Sequence, residues 1–276
     1  EEFVEVQVAN LTLVQLEEEQ ENIFSTIAEL GIDATSSIDV SNNRITLEVL
    51  AINQFNTTIQ KIGIQLPNYV EVIEVDDLPV PEANDYAGLA QNQGTSGYIV
   101  YNAYTGYKYH STAGHLINNI NLYPGTANET HLPYKVGSER YGGNYDYQLH
   151  LIPSNLTPKP WAADAAGWGS TPYYRIITAR ASRIQQVPGS TACHYGNNTG
   201  YSCGTIQNNN ACLPVNGTQG CRWVRVTGAN HGQGDSGGPW YYGSTAYGIH
   251  HGGSNYAAYY MPVDSMFDHG YLVWTQ

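Results

Sequence analysis

The chain has 276 residues and a formal net charge of −13. This length is enough for one or two folded domains. No run of apolar residues approaches the length that spans a bilayer. We therefore expect neither a membrane nor a nucleic acid among its partners.

The acidic residues are concentrated in the first third of the chain. Residues 1–85 hold 17 acidic and 2 basic side chains, a net charge of −15, whereas the rest holds 7 acids and 9 bases, a net charge of +2. All nine histidines and 27 of the 29 glycines lie after residue 85. This change predicts two domains, residues 1–82 and 83–276. The acid excess either serves solubility or attracts the first domain to the second.

The first of these domains has the pattern of a small α/β domain. Alternating apolar residues predict its strands, and apolar residues at helical spacing predict its helices. In chain order the predicted elements are a strand over residues 3–8, a helix over 13–30 that Gly31 ends, strands over 37–40 and 44–49, a helix over 53–62 and a strand over 70–75. This β-α-β-β-α-β order predicts a ferredoxin-like domain. Residues 78–82, Leu-Pro-Val-Pro-Glu, are predicted to be a linker that fits neither helix nor sheet.

From about Tyr86 the pattern changes to short apolar segments that Gly, Asn, Pro and Ser separate. No long helical period occurs before the last residues. Closely spaced short strands with frequent turn residues predict an all-β barrel or sandwich.

The stretch Gly-Asp-Ser-Gly-Gly-Pro at residues 234–239 carries the clearest chemical signal. Glycines on both sides of Ser236 let the backbone turn tightly around an exposed hydroxyl. The amides of Gly234 and Ser236 would then stabilise an oxyanion as it forms. The alternative is a glycine-rich turn that has no catalytic role.

A serine nucleophile needs a base and the base needs an orienting acid. His115, at the end of Thr-Ala-Gly-His, and Asp146, within Asn-Tyr-Asp-Tyr, supply them in the order His, Asp, Ser. Either residue alone would more often be a surface histidine or a turn aspartate. A lipase or esterase also has glycines around its serine, but its histidine comes last and its serine lies among α/β segments.

From Tyr86 onward the chain resembles the bacterial branch of the chymotrypsin family, the α-lytic protease and streptogrisin group. The matching segments are residues 112–115, 144–147, 192–206 and 234–239. The resemblance implies two six-stranded antiparallel barrels with the triad between them, and a disulfide between Cys193 and Cys203. Residues 1–82 are similar to the pro-domain of that group, which assists folding and then inhibits the mature enzyme.

Several residues depart from the group's pattern. Leu116 and Asn230 stand where the group usually has cysteines. Cys212 and Cys221 instead flank Asn216-Gly217, which predicts a disulfide across a β-hairpin. His194 replaces an arginine that faces Asp235 in the group, so a protonated His194 is one candidate partner for that aspartate. His251 replaces a serine that supports the catalytic aspartate, and we expect it beside Asp146.

The pocket that selects the residue before the cut is formed, by alignment, from residues 229–233, 250–253 and 258–260. These segments contain no aspartate, which argues against a preference for Lys or Arg. His231 and His250 line the pocket, and their protonated rings would bind a glutamate side chain. They are equally well explained as packed histidines in an apolar pocket. Gly252 and Gly253 are expected to pair with the substrate backbone.

Six Asn-x-Ser/Thr sequons indicate possible glycosylation; they lie at Asn10, Asn56, Asn128, Asn155, Asn197 and Asn216. The four cysteines fit disulfides in an oxidising compartment better than zinc ligands. Since the chain starts at Glu1 without an apolar leader, we expect that a signal peptide has been removed or left out. These features predict a secreted, monomeric serine endopeptidase that uses no metal or cofactor. The alternative is a catalytically silent homologue that binds peptides or a partner.

Overall fold

The computed structural model divides the chain into two compact units, Glu1–Leu78 and Pro79–Gln276. The sequence places this boundary at residue 82. The structure describes residues 9–30, 32, 34–76, 78, 80–81, 91–124, 129–154, 156–164 and 174–276. The predicted strand over residues 3–8 and the sequons at Asn128 and Asn155 lie outside these ranges.

The first unit contains two helices and three strands close to where the periodicity predicts them. They are α1 (Leu13–Glu29), β1 (Ala34–Asp39), β2 (Arg44–Val49), α2 (Ile52–Lys61) and β3 (Val70–Glu74). Helix α1 begins at a capping box, since the hydroxyl of Thr12 accepts from the amide of Gln15 and the Gln15 side chain accepts from the amide of Thr12. Its apolar face, which includes Leu16, is buried against Ile38 and Ile45 of the sheet.

The three strands form one sheet in the order β1, β2, β3. β1 and β2 are an antiparallel hairpin in which Asp39 pairs with Arg44. β2 and β3 are parallel direct neighbours, with Ile45 opposite Val70, and α2 connects them. In the predicted ferredoxin-like order another strand separates the parallel strands of each βαβ unit. The described residues therefore differ from that prediction, because β2 and β3 hydrogen-bond to each other directly.

The second unit is built mostly from β-strands. They are β4 (Val80–Pro81), β5 (Ile99–Asn102), β6 (Lys108–Thr112), β7 (Ile120–Leu122), β8 (Thr130–Leu132), β9 (Arg140–Gly142), β10 (Tyr145–Leu151), β11 (Trp161–Ala163), β12 (Tyr174–Ile176), β13 (Ala179–Arg180), β14 (Thr191–Gly196), β15 (Gly200–Val215), β16 (Thr218–Thr227), β17 (Pro239–Tyr242), β18 (Thr245–Gly253), β19 (Ala258–Pro262) and β20 (Tyr271–Val273). Two 3-10 helices cover Arg183–Gln185 and Val263–His269. None of the helices in the described ranges combines the length and the apolar character of a membrane span.

Six antiparallel strands of this unit close into a ring. β14 pairs with β17 and β15, β15 with β16, β16 with β19, β19 with β18, and β18 with β17. Buried residues that include Ile206, Val226, Trp240 and Tyr260 pack together in this ring. This closed sheet matches one of the two predicted six-stranded barrels.

A second antiparallel sheet has five strands, in the order β20, β5, β6, β10, β9. In the described ranges β7 pairs with β8 and, through Leu122, with Gln91, and β11 pairs with β12. The predicted second six-stranded barrel is therefore not closed by the strand pairs described.

The short strand β4 corrects the prediction of a linker without strand structure. Val80 pairs with Gly253 and Pro81 with Gly252 in an antiparallel arrangement. Proline has no amide proton, so it is tolerated where a strand pairs on one side only. The paired glycines are the two that the sequence assigns to the substrate backbone.

Both predicted disulfides are present. Cys193 on β14 is bonded to Cys203 on β15, and Cys212 on β15 is bonded to Cys221 on β16. The β15–β16 hairpin turns at Asn216-Gly217, where both residues have positive φ angles of 49° and 70°. Positive φ at both central residues is the geometry that favours Asn-Gly in a two-residue turn.

Candidate active site

Three side chains that are far apart in the sequence form a continuous chain of hydrogen bonds. His115 Nε2 lies 2.9 Å from the Ser236 hydroxyl, and His115 Nδ1 lies 2.7 Å from Asp146 Oδ2. His115 follows β6, Asp146 lies on β10, and Ser236 lies in the loop between β16 and β17. The imidazole and the carboxylate are 2% and 0% exposed. The arrangement lets the ring accept the serine proton while its other nitrogen donates to a carboxylate.

The loop around Ser236 depends on its glycines. Gly234 and Gly237 have φ angles of 94° and 89°, which a side chain disfavours. The amides of Asp235, Gly237 and Gly238 donate to backbone carbonyls. Those of Gly234 and Ser236 donate to no other residue in the described ranges, which leaves both N–H groups for an oxyanion.

Thr95 holds this loop on both sides of the serine. Its hydroxyl donates to the carbonyl of Gly234 at 2.7 Å, and its amide donates to the carbonyl of Ser236 at 2.6 Å. The same hydroxyl accepts from the amide of Asn197. The sequence analysis missed Thr95, because a threonine some 140 residues before the nucleophile turn has no motif of its own.

The carboxylate of Asp146 is held by two histidines. His251 Nδ1 lies 2.6 Å from Oδ2, and the backbone amide of His115 donates to Oδ1 at 2.9 Å. Burial alone raises the pKa of Asp146, but the charge and hydrogen bond of His115 and the hydrogen bond of His251 outweigh it. The pKa of Asp146 is therefore well below its usual range. Burial also lowers the pKa of His251, and Asp146 only partly offsets this.

One group of three residues in the described ranges has the ligand types and the proximity for a metal ion. The ligand atoms of His115, Asp146 and His251 lie within 4.8 Å of one another. Both Nδ1 atoms already contact Oδ2 at hydrogen-bonding distance. A metal would require both rings to lose these Nδ1 protons and move apart.

A hydroxyl and backbone amides hold the Asp235 carboxylate, for which the sequence offered a protonated His194 as one candidate partner. The Asp235 carboxylate accepts from the hydroxyl of Thr199 at 2.6 Å and from the amides of Asn198, Thr199 and Gly232. His194 instead bonds through Nε2 to the carbonyl of Asn230. Hydroxyl and backbone N–H donors on a short turn can hold a buried carboxylate without a cationic side chain.

The predicted pocket histidines belong to a larger aromatic stack. The rings of His231 and His250 have centroids 5.8 Å apart, and His194 is stacked on His250 at 5.6 Å. Trp240 stacks on His194 at 4.6 Å and donates its indole N–H to His250 Nδ1. The His231 ring lies against Gly253, where a Cβ would overlap it. The sequence analysis did not predict that His194 and Trp240 pack against His250.

Four of the six predicted sequons lie in the described ranges. Asn10, Asn56 and Asn216 are exposed and Asn197 is half-buried. The Asn216 side chain donates to the carbonyl of Tyr141. Asn216 is therefore the sequon whose modification would disturb a contact beside the site.

Comparison with known proteins finds similarity to bacterial proteases. It is 32% identical over 145 residues to streptogrisin-C of Streptomyces griseus, a match that covers 48% of this chain and only 31% of streptogrisin-C. No family model matches. A protease from Nocardiopsis is 24% identical, with a TM-score of 0.53, over 68% of this chain and 97% of that one. A glutamic acid specific serine protease described as using a histidine triad in substrate binding is 21% identical, with a TM-score of 0.53, over 71% and 97%.

The structural matches indicate a shared fold, and the sequence match indicates common ancestry. Ser236, His115 and Asp146 all lie in the larger of the two units. The chain is a homologue of streptogrisin-C with the fold of the chymotrypsin-like bacterial serine proteases.

Proposed function

We propose that this chain is a secreted serine endopeptidase that acts through an acyl-enzyme. The observation that carries the proposal is the buried chain from Asp146 Oδ2 through His115 to the Ser236 hydroxyl, with contacts of 2.7 Å and 2.9 Å. The two unused amides of Gly234 and Ser236 support it, because they lie where charge develops on a reacting carbonyl.

In the proposed reaction, Ser236 Oγ attacks the carbonyl carbon of the scissile bond while His115 Nε2 takes the hydroxyl proton. Asp146 stabilises the imidazolium, and the Gly234 and Ser236 amides bind the oxyanion. His115 then gives its proton to the leaving amine, which leaves an ester on Ser236. Water, activated by His115 in the same way, releases the acid product and restores the serine.

A serine-directed phosphonate probe tests this proposal. The full chain is treated before and after limited proteolysis that separates residues 1–78 from the rest. We expect the probe to label Ser236. The label should be lost in Ser236→Ala and kept in the control Ser190→Ala. If the probe never labels Ser236 and the chain cleaves no member of a peptide library, the chain is instead the catalytically silent homologue that binds peptides or a partner.

We further propose that the enzyme prefers Glu before the cut. The stack of His231, His250 and His194 beside the substrate-binding glycines supports this, as does the histidine triad of the glutamic acid specific relative. Hydrogen bonds to a carboxylate are worth about 1.5–3 kcal/mol, which gives about a tenfold to hundredfold preference.

The test compares kcat/KM for peptides that differ only in Glu, Gln or Leu at that residue. The parent should favour Glu, and His250→Ala should lose most of the preference while still cleaving the Leu peptide. If the parent cleaves Leu as well as Glu, the histidines are ordinary pocket walls and the acidic preference is wrong.

Residues 1–82 are proposed to be an inhibitory pro-domain. The pairing of Val80–Pro81 with Gly252 and Gly253 supports this, because it occupies the strand edge that a substrate would use. The charges of −15 on residues 1–85 and +2 on the rest of the chain favour attraction. Residues 1–82 added in trans should therefore inhibit the cleaved enzyme, less strongly at high salt. Residues 1–78, which lack β4, should inhibit less at every salt concentration. Absence of inhibition by residues 1–82 under all conditions would contradict the assignment.

Secretion is supported by two disulfides in short hairpins, which persist in oxidising compartments. The proposal includes a monomeric mature enzyme and glycans at accessible sequons. Glu82 is the proposed maturation site, because the preferred residue would then precede the cut; it lies outside the described residues. Mass spectrometry of the chain recovered from culture medium would identify the new N-terminus and any modified asparagine.

A further inference from the structure

One residue of β16 has a backbone conformation that its side chain does not favour. Arg222 has a φ of 109°. The other residues with a side chain and a positive φ in the described ranges have φ angles from 49° to 53°, in the small left-handed region that such residues can adopt. Arg222 lies well outside that region and is therefore strained. Strain of this kind persists only where the surrounding structure holds the residue in place.

Arg222 is the extra residue of a β-bulge. Cys212 pairs with Cys221 across the β15–β16 hairpin. The next pair is Ala211 with Trp223, which leaves Arg222 without an opposite residue on β15. A bulge bends its strand and breaks the regular alternation of side chains. The strained backbone therefore gives the Arg222 side chain a direction that a regular strand would not give it.

That direction brings the guanidinium of Arg222 to Asp268. Arg222 Nη1 lies 2.9 Å from Asp268 Oδ2, in the last turn of the 3-10 helix Val263–His269. The same oxygen accepts from the hydroxyl of Tyr145 at 3.0 Å. We infer that Arg222 and Asp268 are positioning residues. Together they clamp Tyr145, and with it the strand that carries Asp146, to the six-stranded ring.

This clamp of Arg222, Asp268 and Tyr145 joins the two sheets whose relative position sets the catalytic distance. His115 follows a strand of the five-stranded sheet, whereas Ser236 lies in a loop of the six-stranded ring. The 2.9 Å contact from His115 Nε2 to the serine hydroxyl therefore crosses from one sheet to the other. Arg222 belongs to the ring and Tyr145 to the five-stranded sheet, and one carboxylate oxygen holds both. The inference rests on the proposed role of the triad in a protease.

Stability alone does not account for the strain. The Arg222 and Asp268 side chains are 34% and 35% exposed. An ion pair that is this open to water contributes little to stability, so it does not by itself offset an unfavourable backbone. A role in placing Tyr145 explains why the strain and the ion pair occur together. The ring of His269 also packs edge-on against Tyr145, with centroids 4.7 Å apart, so the tyrosine ring is held from two sides.

The kinetic test separates the strain from the clamp. Arg222→Gly relieves the backbone, because glycine adopts positive φ freely, but it removes the guanidinium. Asp268→Ala removes the shared acceptor. Both should lower kcat by about tenfold to hundredfold and leave KM nearly unchanged, since a shift of about 1 Å between the two sheets misplaces the triad. Arg222→Lys keeps a cation beside Asp268 and should keep most of the parent kcat.

Arg175→Ala is the matched control. The Arg175 side chain is also 34% exposed and also pairs with an aspartate, Asp164, but this pair belongs to the β11–β12 hairpin. Its kcat should equal that of the parent. An unchanged kcat in Arg222→Gly, or an equal loss in Arg175→Ala, would overturn the inference. If Asp268→Ala does not fold, Tyr145→Phe replaces it, because it removes only the hydroxyl that Asp268 accepts from.

Hydrogen exchange gives a readout that does not depend on protease activity. The amides of β10 should exchange faster in Arg222→Gly and Asp268→Ala than in the parent and in Arg175→Ala, whereas those of β14 should not change. Equal exchange of β10 in all four proteins would overturn the clamp. A parent that shows this difference but cleaves no peptide would retain the clamp and refute the proposed function.

Discussion

The indole N–H of Trp240 donates a hydrogen bond to Nδ1 of His250 at 3.1 Å, and both side chains are fully buried. Nδ1 accepts only when it carries no proton, so the proton of this ring is on Nε2. His250 is thereby a neutral donor. The sequence alone predicts protonated pocket histidines, so this contact changes how the pocket is expected to hold a carboxylate.

The first prediction concerns Trp240→Phe, which removes the indole N–H that fixes the tautomer of His250. Without this donor the ring can carry its proton on either nitrogen, so the Glu-over-Gln ratio of kcat/KM should fall by up to about tenfold. Tyr260→Phe is the control, because the Tyr260 ring stacks on Trp240 at 4.9 Å and the indole N–H stays in place. An unchanged ratio in Trp240→Phe would contradict the tautomer assignment.

The second prediction concerns the threonine that holds the nucleophile loop. Thr95→Val keeps the shape of the side chain but removes the hydroxyl that donates to the buried carbonyl of Gly234. A buried carbonyl left unpaired costs about 1–3 kcal/mol, so unfolding in urea should occur at a lower concentration. A displaced Gly234 amide should also lower kcat/KM by about tenfold or more. Thr95→Ser keeps the hydroxyl and should behave like the parent; a Val variant with unchanged labelling of Ser236 would show that the hydroxyl does not position the loop.

The third prediction concerns the hairpin that Cys212 and Cys221 link. A Cβ on Gly220 would overlap the backbone of Gly143, in the turn before Asp146. Gly220→Ala should therefore displace this turn and destabilise the fold by about 1–3 kcal/mol. Because the turn precedes Asp146, the variant should lower kcat more than it raises KM. Gly217→Asn in the same hairpin is the control, because nothing lies near that position and Asn tolerates its positive φ. Steady-state kinetics and thermal unfolding check both variants, and equal effects from the two would rule out the contact with Gly143.

The fourth prediction concerns acid stability. Burial, with a smaller contribution from His150, lowers the pKa of His110 from 6.5 to about 4. The unfolded chain takes up this proton below pH 6.5 and the folded chain does not, so stability falls as the pH drops from about 6.5 to about 4. The full effect is about 3 kcal/mol.

The matched pair for this effect is His110→Gln and His131→Gln. His110→Gln should flatten the dependence of the unfolding free energy on pH over this interval, since Gln does not titrate and can still bond Ser96 through its amide. His131 lies at the surface, and its variant should keep the slope of the parent. Urea unfolding at several pH values measures both, and an unchanged slope in His110→Gln would show that this histidine does not control acid stability.

Several parts of the molecule follow from local sequence. Asn-Gly at residues 216–217 specifies a tight hairpin, because both residues tolerate positive φ. The periodicity of residues 13–30 specifies helix α1, because one face has to be buried. The nucleophile turn is equally local, since Gly234 and Gly237 supply the backbone angles of the tight turn around Ser236. Ser236 itself is buried, whereas the sequence predicts an exposed hydroxyl. The sequence by itself thus determined the tight hairpin at residues 216–217 and the first unit's helices. It also identified Ser236, His115 and Asp146 as the candidate nucleophile, base and acid.

Only the tertiary structure decided which groups those residues meet. His251 and Asp146 are 105 residues apart, and Thr95 and Gly234 are 139 apart. Asp146 and Thr95 lie outside the six-stranded ring, so their contacts with His251 and Gly234 depend on how that ring packs against the rest of the unit, which no local pattern records. The same holds for Asp235, whose carboxylate accepts from Thr199 and from backbone amides. Which distant residue a side chain meets depends on the register of every strand pair between the two residues. The backbone conformation at a residue depends mainly on its neighbours in the chain.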